Sequence, residues 1–457
     1  MKIWNISVFL ILLTFSAHAS AQDIQKRTLN NGLDVVVIPS SAVPVVTIEI
    51  TVKNGAFTEP PEYNGLSHLY EHMFFKGNAL IPNQEAYLRR IRQLGIVFNG
   101  TTSTERVNYY FTLPSDNLKD GLDFMRAAIT SPRFDETEFE KEKQVVLGEV
   151  DRNESNPYYW LSRAVNDALW YAHPTRKDPL GDRDSILRAT TQQMRWMKDN
   201  YYVPNNSVLM ITGDVEPQRA FKMAEDVFGS WTRGRDPFVR NPVPAHPRLQ
   251  KSEFIIVEKD VQVPYITFNW HGPSVDSDPK ATFAADVLSY ILAQPSSQFQ
   301  KNLVDSGITL SSGLSYYTQR YTGPISLAAQ VQPEKLNDAV QALLAEIPKF
   351  SDPNYFTDEQ LQSAKTLLVI EDLYSREKMS SFTHTVSFWW ATAGLDYYLG
   401  YLKGLESVTR DDINRYVAMY LRNQPFVLGV LLSNTQKLQL QLSPTKLQSL
   451  TESALKN

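Results

Sequence analysis

Apolar and polar positions alternate over Val45–Val52, a two-residue period that predicts a β-strand, and Gly32–Val37, ending in three valines, also reads as a strand. The period then lengthens. Leu66–Phe75, Ala86–Leu94 and Leu118–Ile129 carry apolar residues three and four apart, the spacing of helices with one buried face. Strand-like Gly95–Asn99 and Arg106–Leu113 lie between the second and third of these. Phe139–Asn153 predicts a further helix, in which Val145, Val146 and Leu147 lie between Glu142 and Glu149. Seven residues are about two helical turns, so these glutamates share nearly one face.

The same rhythm returns past the middle of the chain, with helices predicted at Thr282–Ile291, Leu336–Ile347 and Asp358–Leu373. Val43-Pro44-Val45-Val46-Thr47 is echoed 220 positions later by Val263-Pro264-Tyr265-Ile266-Thr267. Leu113-Pro114 precedes one predicted helix as Gln332-Pro333 precedes another. These echoes predict a duplicated α+β unit of about 200 residues, chance matching being the alternative. Pro237, Pro242, Pro244 and Pro247 resist regular helix and mark a linker between the copies. The expected organisation is a first domain over residues 22–236, a linker over 237–251 and a second domain over 252–457.

A chain of 457 residues, 42% hydrophobic, has room for two or more cores. Lys+Arg 45 against Asp+Glu 50 leaves no basic excess that would call for nucleic acid, and no Gly-rich phosphate loop precedes a Lys-Ser/Thr pair. The absence of cysteine excludes thiol catalysis, disulfides, thiolate metal sites and a lipid-modified cysteine, so any metal must be held by His, Asp or Glu. Met1-Lys2, the apolar run Val8–Phe15 and Ala19-Ser20-Ala21 predict a signal peptide over residues 1–21. A membrane anchor is the alternative, but the run falls well short of the ~20 residues needed to span a bilayer. The expectation is a soluble exported chain in a bacterial periplasm, without stable membrane insertion.

His68-Leu69-Tyr70-Glu71-His72 carries the sharpest chemistry. On a helix, residues four apart lie on one face, so His68 and His72 can direct two imidazoles at one ion, with Glu71 within reach. A histidine pair on an ordinary helix surface or in a core is the plain alternative. Leu69 and Tyr70 are expected to pack. His173 lacks a helical partner and is read as structural.

The pentapeptide is the inverted zinc motif His-x-x-Glu-His. With its flanks, Asn64-Gly65-Leu66-Ser67-His68 through Met73-Phe74-Phe75-Lys76-Gly77, it resembles the zinc helix of the insulinase-like or pitrilysin-like (M16-type) metallopeptidases. The resemblance implies two homologous sheet-plus-helix domains packed as half of a clamshell chamber. It implies one Zn2+ per chain, held by His68, His72 and Glu149, which lies 77 residues beyond His72. Glu142 would support the site without binding the ion, and Glu71 would be the catalytic base. Phe98–Thr104 resembles the strand along which the family lays its peptide substrate, so that Asn99, Gly100 and Thr101 would meet substrate backbone. Tyr201–Val208 and Gly213-Asp214-Val215 resemble the closing part of the family's first domain. The activity implied is zinc-dependent endopeptidase action on peptides or unfolded oligopeptides.

One segment departs from the family pattern. Active members supply an arginine and a tyrosine from the second domain, whereas Ser297–Leu310 places Val304 at the arginine position and Thr309-Leu310 in the tyrosine region, with Tyr316 and Tyr317 close behind. Neither valine nor leucine can donate to a substrate carbonyl. The resemblance therefore implies a zinc-bearing subunit of a two-component peptidase, whose homologous partner supplies the missing pair. A homodimer is also compatible, as is a weakly active or non-catalytic peptide-binding subunit that keeps its zinc.

Overall fold

The computed structural model describes residues 23–456, so the expected signal peptide lies outside the described residues. Two sheets organise the chain. The first comprises β1 (Gln25–Thr28), β2 (Asp34–Pro39), β3 (Val45–Val52), β4 (Val97–Thr102), β5 (Val107–Pro114) and β6 (Ser207–Gly213), in the order β1-β2-β6-β3-β5-β4. The second comprises β7 (Glu253–Glu258), β8 (Tyr265–His271), β9 (Ser311–Tyr316), β10 (Pro324–Gln330) and β11 (Val427–Leu432), in the order β7-β11-β8-β10-β9.

With the outer β1 set aside, the two orders match strand for strand. In each, the first pair is parallel, β2 with β6 and β7 with β11, and the rest are antiparallel. The motif echoed at 220 positions opens β3 in one copy and β8 in the other, so the repeat seen in sequence is a repeat of topology. The architecture is two mixed α/β domains.

The first five α-helices of the first half are α1 (Leu66–Phe74), α2 (Gln84–Leu94), α3 (Leu118–Thr130), α4 (Glu136–Glu154) and α5 (Pro157–Leu169), of which α1 and α4 carry the site. Two strand starts differ from expectation. Gly32 and Gly95 adopt φ of +90° and +66°, left-handed values that turn the chain, so β2 begins at Asp34 and β4 at Val97. The proline-rich segment also opens differently: Pro237–Arg240 forms a helical turn, because the Asp236 carboxylate accepts the Phe238 and Val239 N–H groups and proline suits a first helical position.

Each half lends a helix to the other. Alternation in β3 would leave Thr47, Glu49 and Thr51 to water, yet all three are buried. The helix Met379–Thr392, from the second half, lies over that face, with Phe382, Val386 and Trp390 against Val36, Ile38, Val208 and Met210. Each fully buried side chain of this kind stabilises by roughly 1.5–3 kcal/mol. The Glu49 carboxylate meets His384 and Ser387, and Arg106 donates to the His384 carbonyl at 2.7 Å and the Ser387 hydroxyl at 3.0 Å. In return, α5 lays Leu161 and Val165 on Val427 and Leu431 of β11. It approaches so closely that a Cβ at Gly429 would sit 2.6 Å from a Val165 methyl.

Candidate metal centre

The motif helix is fixed at its amino end before it presents any chemistry. Gly65 precedes α1 with φ of +87°. The buried Glu59 carboxylate accepts the Gly65 and Ser67 N–H groups at 2.8 and 2.6 Å, satisfying donors that have no partner within the helix. Burial pushes the Glu59 carboxyl up to about 7 against the pull of those bonds. Asn64 donates to the Thr175 and Asp178 carbonyls and accepts from the Asp182 N–H, which ties the entry loop to a distant segment.

From that anchor α1 buries Leu66, Leu69, Tyr70, Met73 and Phe74, and Tyr70 stacks on Tyr202 with ring centroids 4.0 Å apart. Leu69 and Tyr70 are packing residues, as expected. The remaining edge carries His68, Glu71 and His72, all partly exposed.

α4 packs against α1 and brings Glu149 to the two histidines. His68 Nε2 lies 3.3 Å from one Glu149 oxygen and His72 Nε2 lies 3.9 Å from the other, with the imidazole planes at 84°. One ligand atom from each of His68, His72 and Glu149 lies within 4.8 Å of the others, so the three can hold one metal ion. The His68 hydrogen bond, stronger than the opposing effect of burial, keeps the Glu149 carboxyl below its usual range. Two imidazoles and a carboxylate are a nitrogen and oxygen donor set suited to zinc, and three protein ligands leave a position open.

A second carboxylate orients the set. Glu142 accepts from His72 Nδ1 at 3.1 Å, which leaves Nε2 for an ion, and it pairs with Lys76 at 2.5 Å. Burial alone would raise the Glu142 carboxyl; the bonds from His72 and Lys76 outweigh it and hold the carboxyl low. A carboxylate behind a ligating imidazole fixes its tautomer and ring angle. Among the described residues His68 has no such support, and its Nδ1 is buried without a partner.

Glu71 stands outside the three-residue group. Thr102 Oγ1 donates to one of its oxygens at 2.7 Å, and burial raises its carboxyl despite that bond and the neighbouring histidines. β4 runs against this side chain: a Cβ at Gly100 would lie 2.7 Å from Glu71 Cγ. Along β4, Gly100 is buried whereas Asn99 and Thr101 are exposed. Their strand is the outer one of its sheet, paired only with β5 among the described residues, so its free edge is open to an added strand.

The remaining expected residues lie elsewhere. His173 is outside the metal group, its ring 5.7 Å from that of His246. Val304 lies in the wide helical turn Lys301–Asp305. Tyr316 donates to the Pro273 carbonyl at 3.0 Å, and the exposed Tyr317 ring lies 6.0 Å from Phe388. Sequence reasoning missed Glu59, Lys76 and Thr102. Lys76 was open to detection, one turn beyond His72 and facing Glu142; the other two act through contacts that no local spacing announces.

Residues 35–182 match the family model described as Insulinase (Peptidase family M16), and residues 188–368 match that of the Peptidase M16 inactive domain. The zinc protease PqqE of Helicobacter pylori is 27% identical over 354 residues, covering 75% of this chain and 79% of that protein. The crystal structure of a protease from Helicobacter pylori superposes with a TM-score of 0.79 at 22% identity, over 90% of this chain and 100% of that one. The first half of the periplasmic protease PqqL from Escherichia coli gives 0.78 at 18% identity over 95% and 98%, and this chain covers 50% of the whole of PqqL. The two mixed α/β domains of this chain are consistent with the clamshell architecture of the M16 family. Among the described residues no helix is long and apolar enough to cross a membrane.

Proposed function

The chain has the M16-family, insulinase/pitrilysin-type zinc-metallopeptidase fold, and on that premise we propose that it is an exported zinc endopeptidase acting on peptides or unfolded oligopeptides. The observation that carries the reading is the convergence of His68, His72 and Glu149 beside a fourth group, Glu71, that Thr102 holds apart from them. His68, His72 and Glu149 would hold one Zn2+. When bound, zinc lowers the pKa of water and polarises a substrate carbonyl.

The chain's own residues do the rest. A peptide pairing with the free edge of β4 would lie along Asn99, Gly100 and Thr101, in extended conformation beside Glu71. Glu71 then takes a proton from the attacking water on its carboxylate and delivers it to the departing amine nitrogen. Thr102 keeps that carboxylate on the side of β4, and Glu142 with Lys76 keeps the His72 ring at its angle. With no cysteine in the chain, hydrolysis proceeds by direct attack of water without a thioester intermediate.

The partner follows from the second domain. Val304 cannot donate to substrate, and a chain of this size corresponds to half of PqqL. These facts support a zinc-bearing subunit that pairs with a homologous chain carrying the arginine and tyrosine. Val304 also favours the second reading, a zinc-containing subunit with little activity of its own. Location in the periplasm is supported by the leader-like residues 1–21 and by the likeness to a periplasmic protease.

The test is peptide hydrolysis by the zinc-loaded chain, alone and titrated with a homologous partner chain, with complex mass followed by light scattering. Activity that appears only at a one-to-one ratio supports the shared-site reading. Full activity of the chain alone contradicts it, and no activity in either state removes the peptidase.

A further inference from the structure

The segments that hold Glu71 in place converge on one hairpin of the second domain. Residues 317–323 join β9 to β10, and their tip is fixed to its own domain: the Gln319 and Arg320 carbonyls accept the Val275 and Asp276 N–H groups at 3.1 and 3.3 Å. Three segments of the first domain meet that tip. Tyr321 lies with its ring 6.0 Å from that of Phe57, two residues before Glu59, whose carboxylate holds the start of α1. Lys177 donates to the Gln319 side chain and, at 2.6 Å, to the Thr322 carbonyl, from the segment that also accepts from Asn64. The third is the turn between β4 and β5, where Glu105 accepts the Arg320 N–H at 2.8 Å.

Two consecutive residues of this turn are charged and buried, Glu105 at 5% and Arg106 at 9% exposure. Connecting segments normally run over the surface, and burying an ion costs several kcal/mol unless it is paired. Both residues meet that cost with contacts to the second half of the chain. Arg106 reaches the His384 carbonyl and the Ser387 hydroxyl, and Glu105 reaches the hairpin. Burial raises the Glu105 carboxyl, against the pull of Lys177 and of the Arg320 and Tyr321 N–H groups. The turn is also tied to the loop before α1, because the Ser103 and Thr104 carbonyls accept the Ala56 and Phe57 N–H groups at 3.4 and 2.9 Å.

Thr102 is the residue that enters this turn, and its hydroxyl holds the Glu71 carboxylate at 2.7 Å. β4 has one partner strand among the described residues, so at this end its place depends on the turn. We propose that Glu105 is a positioning residue for peptide hydrolysis, through which the second domain sets Thr102 against Glu71. This role rests on the peptidase reading of the site. It makes the second domain a determinant of rate in the first without any contact to substrate.

A double-mutant cycle on kcat, in the zinc-loaded assembly where the unmodified protein is active, tests this. Glu105→Ala should lower kcat about tenfold, the effect of losing one hydrogen bond at the proton-transferring group, with zinc content unchanged. In the Thr102→Val background the same change should cost less than about twofold, because the bond it acts through is already absent. Glu105→Gln, which keeps an acceptor for the Arg320 N–H, should recover most of the rate. Where Glu105→Ala does not fold, Glu105→Asp, which keeps the charge but withdraws the carboxylate by one methylene, carries the same cycle. Unchanged kcat, a loss of zinc matching the loss of rate, equal losses with and without Thr102, or no recovery in Glu105→Gln would each overturn the proposal while leaving the peptidase reading intact. An unmodified protein that is inactive in every assembly would fail that reading, and this role with it.

Discussion

The helix that follows β3 and the helix that follows β8 occupy the same place in two copies of one topology, and they have been put to opposite uses. The first, α1, carries His68 and His72 four residues apart, and α4 brings Glu149 to them. The second, Pro279–Ala293, carries Thr282 and Asp286 four residues apart, and it is met by Tyr397 and Tyr401, themselves four apart. Their hydroxyls lie 2.6 Å from Thr282 Oγ1 and 2.7 Å from Asp286 Oδ2. In one copy the paired residues keep coordinating atoms directed at a common point; in the other they close on hydroxyls, and among the described residues they belong to no group that could hold a metal ion. The scaffold supplies a helix face and a neighbour, and the residues on it decide between a reactive site and a structural contact.

The largest effect that would sharpen this contrast is the loss of Glu149. Glu149→Gln should lower zinc affinity by more than about a hundredfold, beyond the range for residues that only support a ligand, and unchanged affinity by competition with a chelator would remove it from the ligand set. Glu142→Gln, which leaves the ligands in place, should cost about tenfold to a hundredfold. Thr102→Val should leave zinc content unchanged while kcat in the active assembly falls about tenfold, with KM little altered and Thr102→Ser restoring the rate. A fall in zinc equal to the fall in rate would make Thr102 merely structural.

The smallest effect lies in the second domain. Burial, opposed by the Tyr401 bond, raises the Asp286 carboxyl from 3.8 to about 7. Its folded form holds its proton longer than the unfolded form, so the stability it contributes is full below about pH 4 and is lost as pH rises to about 7. Asp286→Asn should therefore melt higher than the unmodified chain by a margin that grows over that interval and levels off above it. A margin independent of pH would show that Asp286 is not the titrating group.

Much of this could be read from the chain because it is local. The four-residue spacing of His68 and His72 and the seven-residue spacing of Glu142 and Glu149 are helical facts, and both helices form where the apolar period places them. Strands β2 to β5 and the opening of β8 were also legible, apart from the starts displaced by Gly32 and Gly95, whereas β1, β6, β7, β9, β10 and β11 were not read as strands. What no local pattern carries is the cover on β3. Glu49 meets His384, 335 residues away, and its apparent solvent face is an interior surface. Thr102 escaped for the same reason, since it reaches Glu71 from a strand 31 residues on, whereas Glu59 escaped because its irregular loop, six residues before Gly65, has no period that aims its carboxylate at the start of α1.

The most direct test of the account separates metal from turnover at one residue. Glu71→Gln should bind as much zinc per chain as the unmodified protein, measured by elemental analysis, and hydrolyse peptide at no detectable rate in the assembly where the unmodified protein is active. Undiminished hydrolysis at equal zinc content would contradict the assignment of Glu71 as the proton-transferring group, and with it the reading of the first domain as the reactive copy.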